Sequence, residues 1–147
     1  MAALVDTNVL VYKHDPRYPG KQRRAGELLR EGLQTGSVRL AHQVLLEFVA
    51  VVSRPLPNGR PLLPPAEARR EVEELLAEFP ILYPNDAIVR MALRGAAAYD
   101  LPWFDAHLWA YAEFYGLNKL YSEDFQHGRL YGTVHVTNPF LEEIGRT

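Results

Sequence analysis

The feature that most restricts how this chain can fold is its alternation of short apolar segments with longer amphipathic ones. Short apolar runs bounded by turn signals are typical of buried strands, whereas apolar residues on one helical face indicate packed helices. An order in which strands alternate with helices is typical of an α/β domain whose sheet is mostly parallel. The sequence therefore predicts a three-layer α/β/α fold with a central sheet of four to five strands and helices on both faces. The predicted strands are residues 2–5, 38–41, 79–83, 119–121 and 133–136, and the predicted helices are residues 21–33, 42–54, 65–78, 86–99 and 103–115.

Glycine and proline mark the boundaries between these segments. Residues 16–20 are predicted to break the chain, and Gly36 and Gly116 are predicted to end helices. Residues 54–65 are rich in proline and glycine, so we expect a surface insertion there. The length of 147 residues suits one domain, and the prediction is a single domain over residues 1–147 that ends in a short tail.

Charge and composition exclude several classes of protein. The formal net charge is −2, so contact with a nucleic acid needs a local basic patch or metal ions. The chain has no cysteine, which excludes a disulfide scaffold, a zinc ribbon and a thiol nucleophile. Its amino terminus lacks the basic region of a signal peptide, and no apolar run approaches the ~20 residues of a membrane span. We therefore expect a cytoplasmic protein with no membrane partner.

Four carboxylates are predicted to meet at one edge of the sheet. Asp6 ends the first strand, and Glu47 lies in the second turn of the helix after the second strand. Asp105 opens a helix that runs away from this edge, and the next strand returns to the edge just before Asp124. The carboxyl ends of parallel strands share one edge, where open α/β sheets bind their ligands. Asp6, Glu47, Asp105 and Asp124 are therefore the candidate site residues.

A cluster of four carboxylates requires a counter-charge, because each negative group disfavours the ionisation of its neighbours. Mg²⁺ and Mn²⁺ prefer carboxylate and water oxygens as ligands. An ion held in this way activates water and stabilises the charge on a phosphodiester under attack. The pattern therefore indicates metal-assisted hydrolysis of a phosphate ester.

Each carboxylate also has a purely structural interpretation. Asp6 could cap a short helix, and Asp124 could be a turn residue. Asp105 could cap a helix or interact favourably with the dipole at its amino terminus. Glu47 lies within an apolar stretch, where a carboxylate needs a partner. Their joint placement on one edge favours the functional interpretation. The histidines at positions 107, 127 and 135 have no metal-ligand spacing and are predicted to lie at the surface or behind the site.

Five segments carry a family resemblance. They are residues 4–10 (LVDTNVL), 43–48 (QVLLEF), 105–110 (DAHLWA), 121–128 (YSEDFQHG) and 136–140 (VTNPF). With these motifs, the chain resembles the PIN-domain family and, within it, the VapC-type toxins of prokaryotic toxin–antitoxin pairs. The match runs over nearly the whole chain, with the motifs in the family's order.

The resemblance implies a function and a role for individual residues. It implies an endoribonuclease that cleaves single-stranded RNA, forms homodimers and is blocked by a small VapB-like antitoxin. Asn8 and Ser122 match polar positions that support the site. Many relatives carry another acidic residue two positions after the last aspartate, where this chain has Gln126. Asp6, Glu47, Asp105 and Asp124 match the acidic residues that hold Mg²⁺ or Mn²⁺ and carry out catalysis.

Other functions remain open on the sequence. A phosphatase of the haloacid dehalogenase type needs a second aspartate two residues after the first, where this chain has Asn8. A receiver-like signalling domain needs paired acids and a late lysine, and neither is evident. A degenerate PIN domain that only binds protein, or a housekeeping RNA-processing nuclease, would share the predicted fold.

Overall fold

A computed structural model of the protein describes residues 2–141. Every predicted strand and helix has a counterpart in it. The strands are β1 (Ala3–Val5), β2 (Val38–Ala41), β3 (Ile81–Leu82), β4 (Lys119–Tyr121), β5 (Leu130–Tyr131) and β6 (Val134–Thr137). The helices are α1 (Thr7–Tyr12), α2 (Pro19–Thr35), α3 (His42–Val52), α4 (Pro65–Glu78), α5 (Asp86–Tyr99) and α6 (Trp103–Phe114).

The strands form one six-stranded sheet in the order β3-β2-β1-β4-β6-β5. All neighbouring pairs are parallel except β5 with β6, which form an antiparallel hairpin at one edge. Leu4 in the central strand pairs with Arg39 on one side and Leu120 on the other. The predicted α/β class with a mostly parallel sheet is confirmed.

The order of the strands divides the helices between the two faces of the sheet. The chain runs outward from β1 through β2 to β3, then returns to β4 on the other side of β1. Because crossovers between parallel strands are right-handed, the reversal places α5 and α6 on the face opposite α1 to α4. In agreement, α3 contacts α1 and α4, whereas α5 packs on α6, which contacts β4 and β6.

The core lies between the sheet and these two helical layers. Leu4, Leu40 and Leu120 come from three adjacent strands, and Phe48 projects from α3; all four are fully buried. Removing one such side chain from water stabilises the fold by about 1.5–3 kcal/mol. This packing fixes β1 and β4 side by side, and it thereby fixes the place where the two strands end.

Two short elements were not predicted from the sequence. Helix α1 lies in a stretch for which no strand or helix was predicted, and its six residues are too few to show a clear helical period. Strand β5 has two residues and turns into β6 through Gly132, whose φ is 60°. This strand gives the sheet its sixth member, where four to five were expected. Neither element carries enough periodic sequence to be recognised alone.

The second helix also differs from its prediction. It begins at Pro19, inside the segment of residues 16–20 that was expected to break the chain. Proline is favoured in the first turn of a helix, where its missing N–H group has no intrahelical partner to lose. At the other end, Leu33 is exposed, and Gly32 is the residue that lies against Val38.

Residues 53–64 connect α3 to α4, over most of the range predicted as a surface insertion. Most of this segment is exposed, whereas Leu62 and Leu63 pack against the core. Met1 and most of the predicted tail, residues 142–147, lie outside the described residues. Among the helices between residues 2 and 141, none has the length and apolar character needed to cross a membrane.

Candidate active site

Asp6 is the first residue after β1 and links three elements. Its backbone is extended, and it is the N-cap of α1, where its Oδ1 accepts a hydrogen bond from the Thr7 amide at 2.6 Å. Its Oδ2 accepts a hydrogen bond from the Ser122 hydroxyl at 2.5 Å, just beyond the end of β4. Asp6 thus does cap a short helix, and it also holds the ends of the two central strands together.

Three of the four predicted carboxylates converge at this position. Asp6, Asp105 and Asp124 each offer a carboxylate oxygen, and these oxygens lie within 4.8 Å of one another. Asp105 comes from the first turn of α6, and Asp124 follows β4. The cluster lies where the direction of the crossovers reverses between β1 and β4, which is the position at which open α/β sheets bind ligands.

Hydrogen bonds with the two predicted auxiliary residues fix the position of Asp124. The Asn8 side-chain amide donates to Asp124 Oδ2 at 3.2 Å. The Ser122 hydroxyl accepts a hydrogen bond from the Asp124 amide at 3.0 Å while donating to Asp6. Ser122 is fully buried, so its single hydroxyl sets the relative position of two carboxylates.

Glu47 lines the same cleft but is not one of the three clustered carboxylates. The Gln43 side-chain amide donates to one of its oxygens at 2.6 Å and to the Phe104 carbonyl at 3.0 Å. The Thr7 hydroxyl donates to the other oxygen at 3.3 Å. Glu47 is therefore held directly from α1 and α3, and Gln43 links it to the start of α6. Its part in metal binding and catalysis stays a prediction.

Crowding and burial oppose the ionisation of the cluster. Burial is the largest cause that raises the pKa of Asp6 to about 7, and the charges of Asp124 and Asp105 add to it, although the Ser122 hydrogen bond acts in the opposite direction. Burial likewise raises the pKa of Asp105 to about 6, together with the charges of Asp124 and Glu47. Such clusters are typical of functional sites, because stability alone disfavours them.

The donor set fits a hard divalent cation. All three clustered groups offer carboxylate oxygen, which suits Mg²⁺ or Mn²⁺ rather than a metal that prefers sulfur or imidazole. Asn8 Oδ1 is buried without a hydrogen-bond partner, although its amide group is bonded to Asp124. A buried oxygen of this kind requires a donor or a cation. The unpartnered oxygen beside the acidic cluster therefore supports the presence of a cation.

The cluster opens into a cleft with a volume of about 360 Å³. Val11, Tyr12 and Val51 give it an apolar part, and Asp15 and Arg17 pair at its side. Asp15 and Arg17 were missed in the sequence analysis. Residues 16–20 were predicted only to break the chain; Arg17 lies within that segment and Asp15 directly before it. The role of Gln43 was also missed, although its i, i+4 spacing from Glu47 on a helix indicates contact between the two side chains.

A second polar network holds the loop that carries Asp124. The Glu123 carboxylate accepts hydrogen bonds from the Tyr12 hydroxyl at 2.6 Å and the Lys21 ammonium at 2.9 Å. Glu123 is therefore bound to α1 and α2, although it directly precedes a residue of the acidic cluster.

The three histidines considered in the sequence analysis bond to nearby backbone groups: His107 to Trp103, His127 to Asn138 and His135 to Gly128.

Comparisons with known proteins agree with this fold. A family model described as PIN domain matches residues 3–132. No curated protein matches the chain. Among solved structures, a toxin–antitoxin complex from Klebsiella pneumoniae aligns with a TM-score of 0.66 and 19% identity, over 94% of this chain and 98% of that one.

Two other solved structures are similar. VapBC2 from Rickettsia felis, bound to a DNA fragment from its promoter, aligns with a TM-score of 0.67 and 11% identity, over 92% of this chain and 97% of that one. VapC20 from Mycobacterium tuberculosis, described as a toxin that cleaves the Sarcin-Ricin loop, aligns with a TM-score of 0.58 and 16% identity, over 85% of this chain and 90% of that one. At these identities, the similarities show a shared fold.

Proposed function

Because this chain belongs to the PIN domain family, we propose that it is a metal-dependent endoribonuclease that cleaves single-stranded RNA. The observation that carries the proposal is the convergence of Asp6, Asp105 and Asp124, whose carboxylate oxygens lie within 4.8 Å of one another. They meet at the sheet edge where the crossover direction reverses between β1 and β4. Burial of like charges disfavours this arrangement in the absence of a cation. A domain that only bound other proteins would have no use for it.

The carboxylates have separate tasks in this proposal. Asp6, Asp105 and Asp124 would hold Mg²⁺ or Mn²⁺, with Ser122 and Asn8 fixing their positions. A bound ion would supply positive charge to the scissile phosphodiester and would lower the pKa of a water molecule. Glu47 faces the same cleft and offers a carboxylate that can join the metal ligands or take up a proton from water.

The chain is proposed to act as the toxin of a toxin–antitoxin pair. Supporting this, the solved structures with the same fold include toxin–antitoxin assemblies and an RNA-cleaving toxin. The proposed partners are a VapB-like antitoxin and a second copy of this chain, and the proposed location is the cytoplasm. A housekeeping RNA-processing nuclease would use the same site, and a short neighbouring gene for a DNA-binding protein would favour the toxin.

An apolar groove between α3 and α4 offers a surface for the antitoxin. This α3–α4 groove has a volume of about 450 Å³. Leu46 and Leu76 are exposed beside it, as is Tyr83 at one end. Exposed apolar side chains gathered around a groove are typical of surfaces that bind an amphipathic helix. The residues that line the groove are His42, Leu45, Leu46, Val49, Val72, Leu76 and Tyr83.

Cleavage assays test the proposed activity. The purified protein should cleave labelled single-stranded RNA with Mg²⁺ or Mn²⁺, and should leave double-stranded RNA and single-stranded DNA intact. Asp6→Asn or Asp105→Asn should lower the rate at least about a hundredfold, because each removes a metal ligand.

Asp86→Asn is the matched control for the Asp105 variant. Asp86 is also an aspartate in the first turn of a helix, but it is exposed and pairs with Arg90 on α5. This variant should cleave RNA at the wild-type rate. Equal cleavage by the wild type and both site variants in excess EDTA would rule out the proposed function.

A further inference from the structure

The acidic cleft is an unfavourable place for RNA, since the phosphates of the substrate would face carboxylates of the same sign. Within the described part of the chain, the residues that line it include five carboxylates and a single cation, the guanidinium of Arg17. The side chain of Arg17 is 48% exposed. The lining therefore offers a substrate one positive charge apart from any bound metal ion, and Lys21, which lies beside Tyr12 and Tyr18, is paired with Glu123.

Arg17 is held in place by its bond to a buried carboxylate. Its Nε and Nη2 donate to the two oxygens of Asp15 at 2.9 and 2.8 Å, and its backbone amide also donates to Asp15. Asp15 is only 2% exposed, whereas Arg17 is about half exposed, so the contact is partly buried. A guanidinium fixed in this way keeps most of its binding energy for a ligand, because little side-chain entropy remains to be lost.

The bond to Asp15 leaves donors free. A guanidinium has five N–H groups. Asp15 takes two of them, and within residues 2–141 the other three have no hydrogen-bond partner. Asp15 occupies only the edge of the guanidinium that carries Nε and one N–H group of Nη2. The remaining N–H groups belong to a half-exposed side chain at a cleft, where two of them can donate to two oxygens of one phosphate.

An exposed aromatic ring follows Arg17 directly in the chain. Tyr18 lines the same cleft and is 46% exposed. Its ring packs edge-to-face with Tyr12, with the centroids 5.6 Å apart. The Arg17 guanidinium and the Lys21 ammonium lie 5.5 and 5.7 Å from its centroid, so several contacts hold the ring in place. A partly exposed ring beside a phosphate-binding group is a common platform for an unpaired base, because every base has a flat apolar face.

We propose that Arg17 and Tyr18 form a nucleotide subsite, in which Arg17 binds a backbone phosphate of single-stranded RNA and Tyr18 stacks against the adjoining base. This inference rests on the proposed function and adds a site of substrate recognition that is separate from the carboxylate cluster. Selection of single strands follows from it, because a base inside a duplex is stacked on both faces by its neighbours and has none free for Tyr18. Arg17 acts by positioning the substrate, and cleavage remains the task of the carboxylates.

Binding measurements in a protein that does not cleave its ligand provide the test. In an Asp105→Asn background with Mg²⁺, the anisotropy of a short labelled single-stranded RNA is followed over a range of salt concentrations. Arg17→Gln should weaken binding about tenfold, and the slope of log affinity against log salt should fall by about 0.7, as expected for one lost phosphate contact. Tyr18→Leu should weaken binding at least about fivefold without changing that slope, whereas Tyr18→Phe should bind like the parent.

A paired variant separates RNA binding from protein stability. Arg17→Gln alone leaves Asp15 buried without its partner, so it should also lower the melting temperature. Asp15→Asn combined with Arg17→Gln removes both charges and should recover much of the melting temperature without recovering RNA affinity. Arg90→Gln is the matched control, because Arg90 pairs with Asp86 on the surface of α5. It should alter neither property.

The outcomes distinguish the subsite from the proposed function. In the protein with Asp105 intact, Arg17→Gln should raise KM about tenfold and change kcat little, since Arg17 would hold the substrate equally well before and during cleavage. If the wild type cleaves RNA while the paired variant keeps the parent's affinity and salt slope, Arg17 is only a structural partner of Asp15. If the wild type neither binds nor cleaves single-stranded RNA, the proposed function and the subsite are both wrong.

Discussion

Asp6 shows how one residue can serve the fold and the site together. Its Oδ1 caps α1 and its Oδ2 binds Ser122, so both oxygens have structural partners. The same carboxylate belongs to the acidic cluster. Capping and metal binding, which are alternative interpretations of an aspartate after a strand, are both compatible with this geometry. The structural contacts fix the carboxylate in place before a cation arrives.

The raised pKa values predict how stability depends on pH in the metal-free protein. The ordinary pKa of an aspartate is 3.8, and those of Asp6 and Asp105 are raised to about 7 and about 6. Their contribution to stability is therefore present below about pH 4 and is lost as the pH rises through about 6 and about 7. Glu71 acts in the opposite sense, because its pKa is lowered to about 2, chiefly by its bond to His14. Its contribution is lost only as the pH falls below about 4.5.

Urea unfolding in EDTA between about pH 5 and about pH 8 measures this dependence. The free energy of unfolding should fall as the pH rises, and the fall should be smaller for Asp6→Asn combined with Asp105→Asn. Saturating Mg²⁺ should reverse the trend, because the ion binds the ionised carboxylates. Parallel curves for the wild type and the double variant in EDTA would contradict the role given to these two groups.

At the scale of elements, the two helices on the far face approach each other through a glycine. A Cβ atom at Gly95 on α5 would collide with the ring of Trp109 on α6. Trp109 is buried, and its indole N–H donates to the Tyr131 carbonyl at 2.9 Å. The ring therefore has little freedom to move aside. Since α6 begins two residues before Asp105, this packing also sets the position of the acidic cluster.

Gly95→Ala should lower the free energy of unfolding by about 1–3 kcal/mol, because overpacking forces the helices apart. Gly26→Ala is the matched control: Gly26 lies within α2, and its Cβ would meet nothing within 4 Å. That substitution should raise stability by about 0.5–1 kcal/mol, because alanine favours the helix. Both effects are measured by urea unfolding. Equal effects at the two positions would show that α5 and α6 do not pack as closely as described.

At the scale of the whole molecule, a divalent cation should join β1, α6 and the loop after β4. Saturating Mg²⁺ or Mn²⁺ should raise the melting temperature, since binding to the native state alone adds about 2.7 kcal/mol at a hundredfold excess over Kd. Asp124→Asn should raise the stability of the metal-free protein, because it removes one of three crowded charges, and should weaken metal binding. Asp86→Asn, outside the cluster, should change neither quantity. Coincident thermal scans with and without saturating metal would exclude a metal site.

The proposed antitoxin should engage both the α3–α4 groove and the acidic cleft. We expect an arginine of the antitoxin to lie near Asp6 and Asp105, because its planar fork pairs with carboxylates and competes with metal and substrate. Replacing that arginine with alanine should weaken inhibition of RNA cleavage, and excess Mn²⁺ should partly restore cleavage. Leu46→Glu should weaken the complex about tenfold or more while leaving cleavage by the free protein unchanged. An antitoxin that inhibits equally after both changes would bind elsewhere.

The sequence by itself determined the class of the fold and the residues that end its central strands. Strand β4 and helix α4 have the predicted bounds, and Asn85 caps α5 by accepting a hydrogen bond from the Ile88 amide. These features depend on residues within a few positions of one another, where apolar spacing and capping side chains act directly. The placement of Asp6 and Asp124 at one sheet edge then follows from parallel strands, which is a general property of the class.

Only the tertiary structure decided the details that give the site its shape. Helix α1 is too short to be stable alone, and it forms because Val9 and Leu10 enter the core. The separation of Glu47 from the three clustered carboxylates depends on how α3 packs, and the Asp15–Arg17 pair enters the cleft only because α1 and α2 enclose its side. Contacts between distant parts of the chain arise from side-chain packing and crossover handedness, and no local pattern in the sequence specifies either.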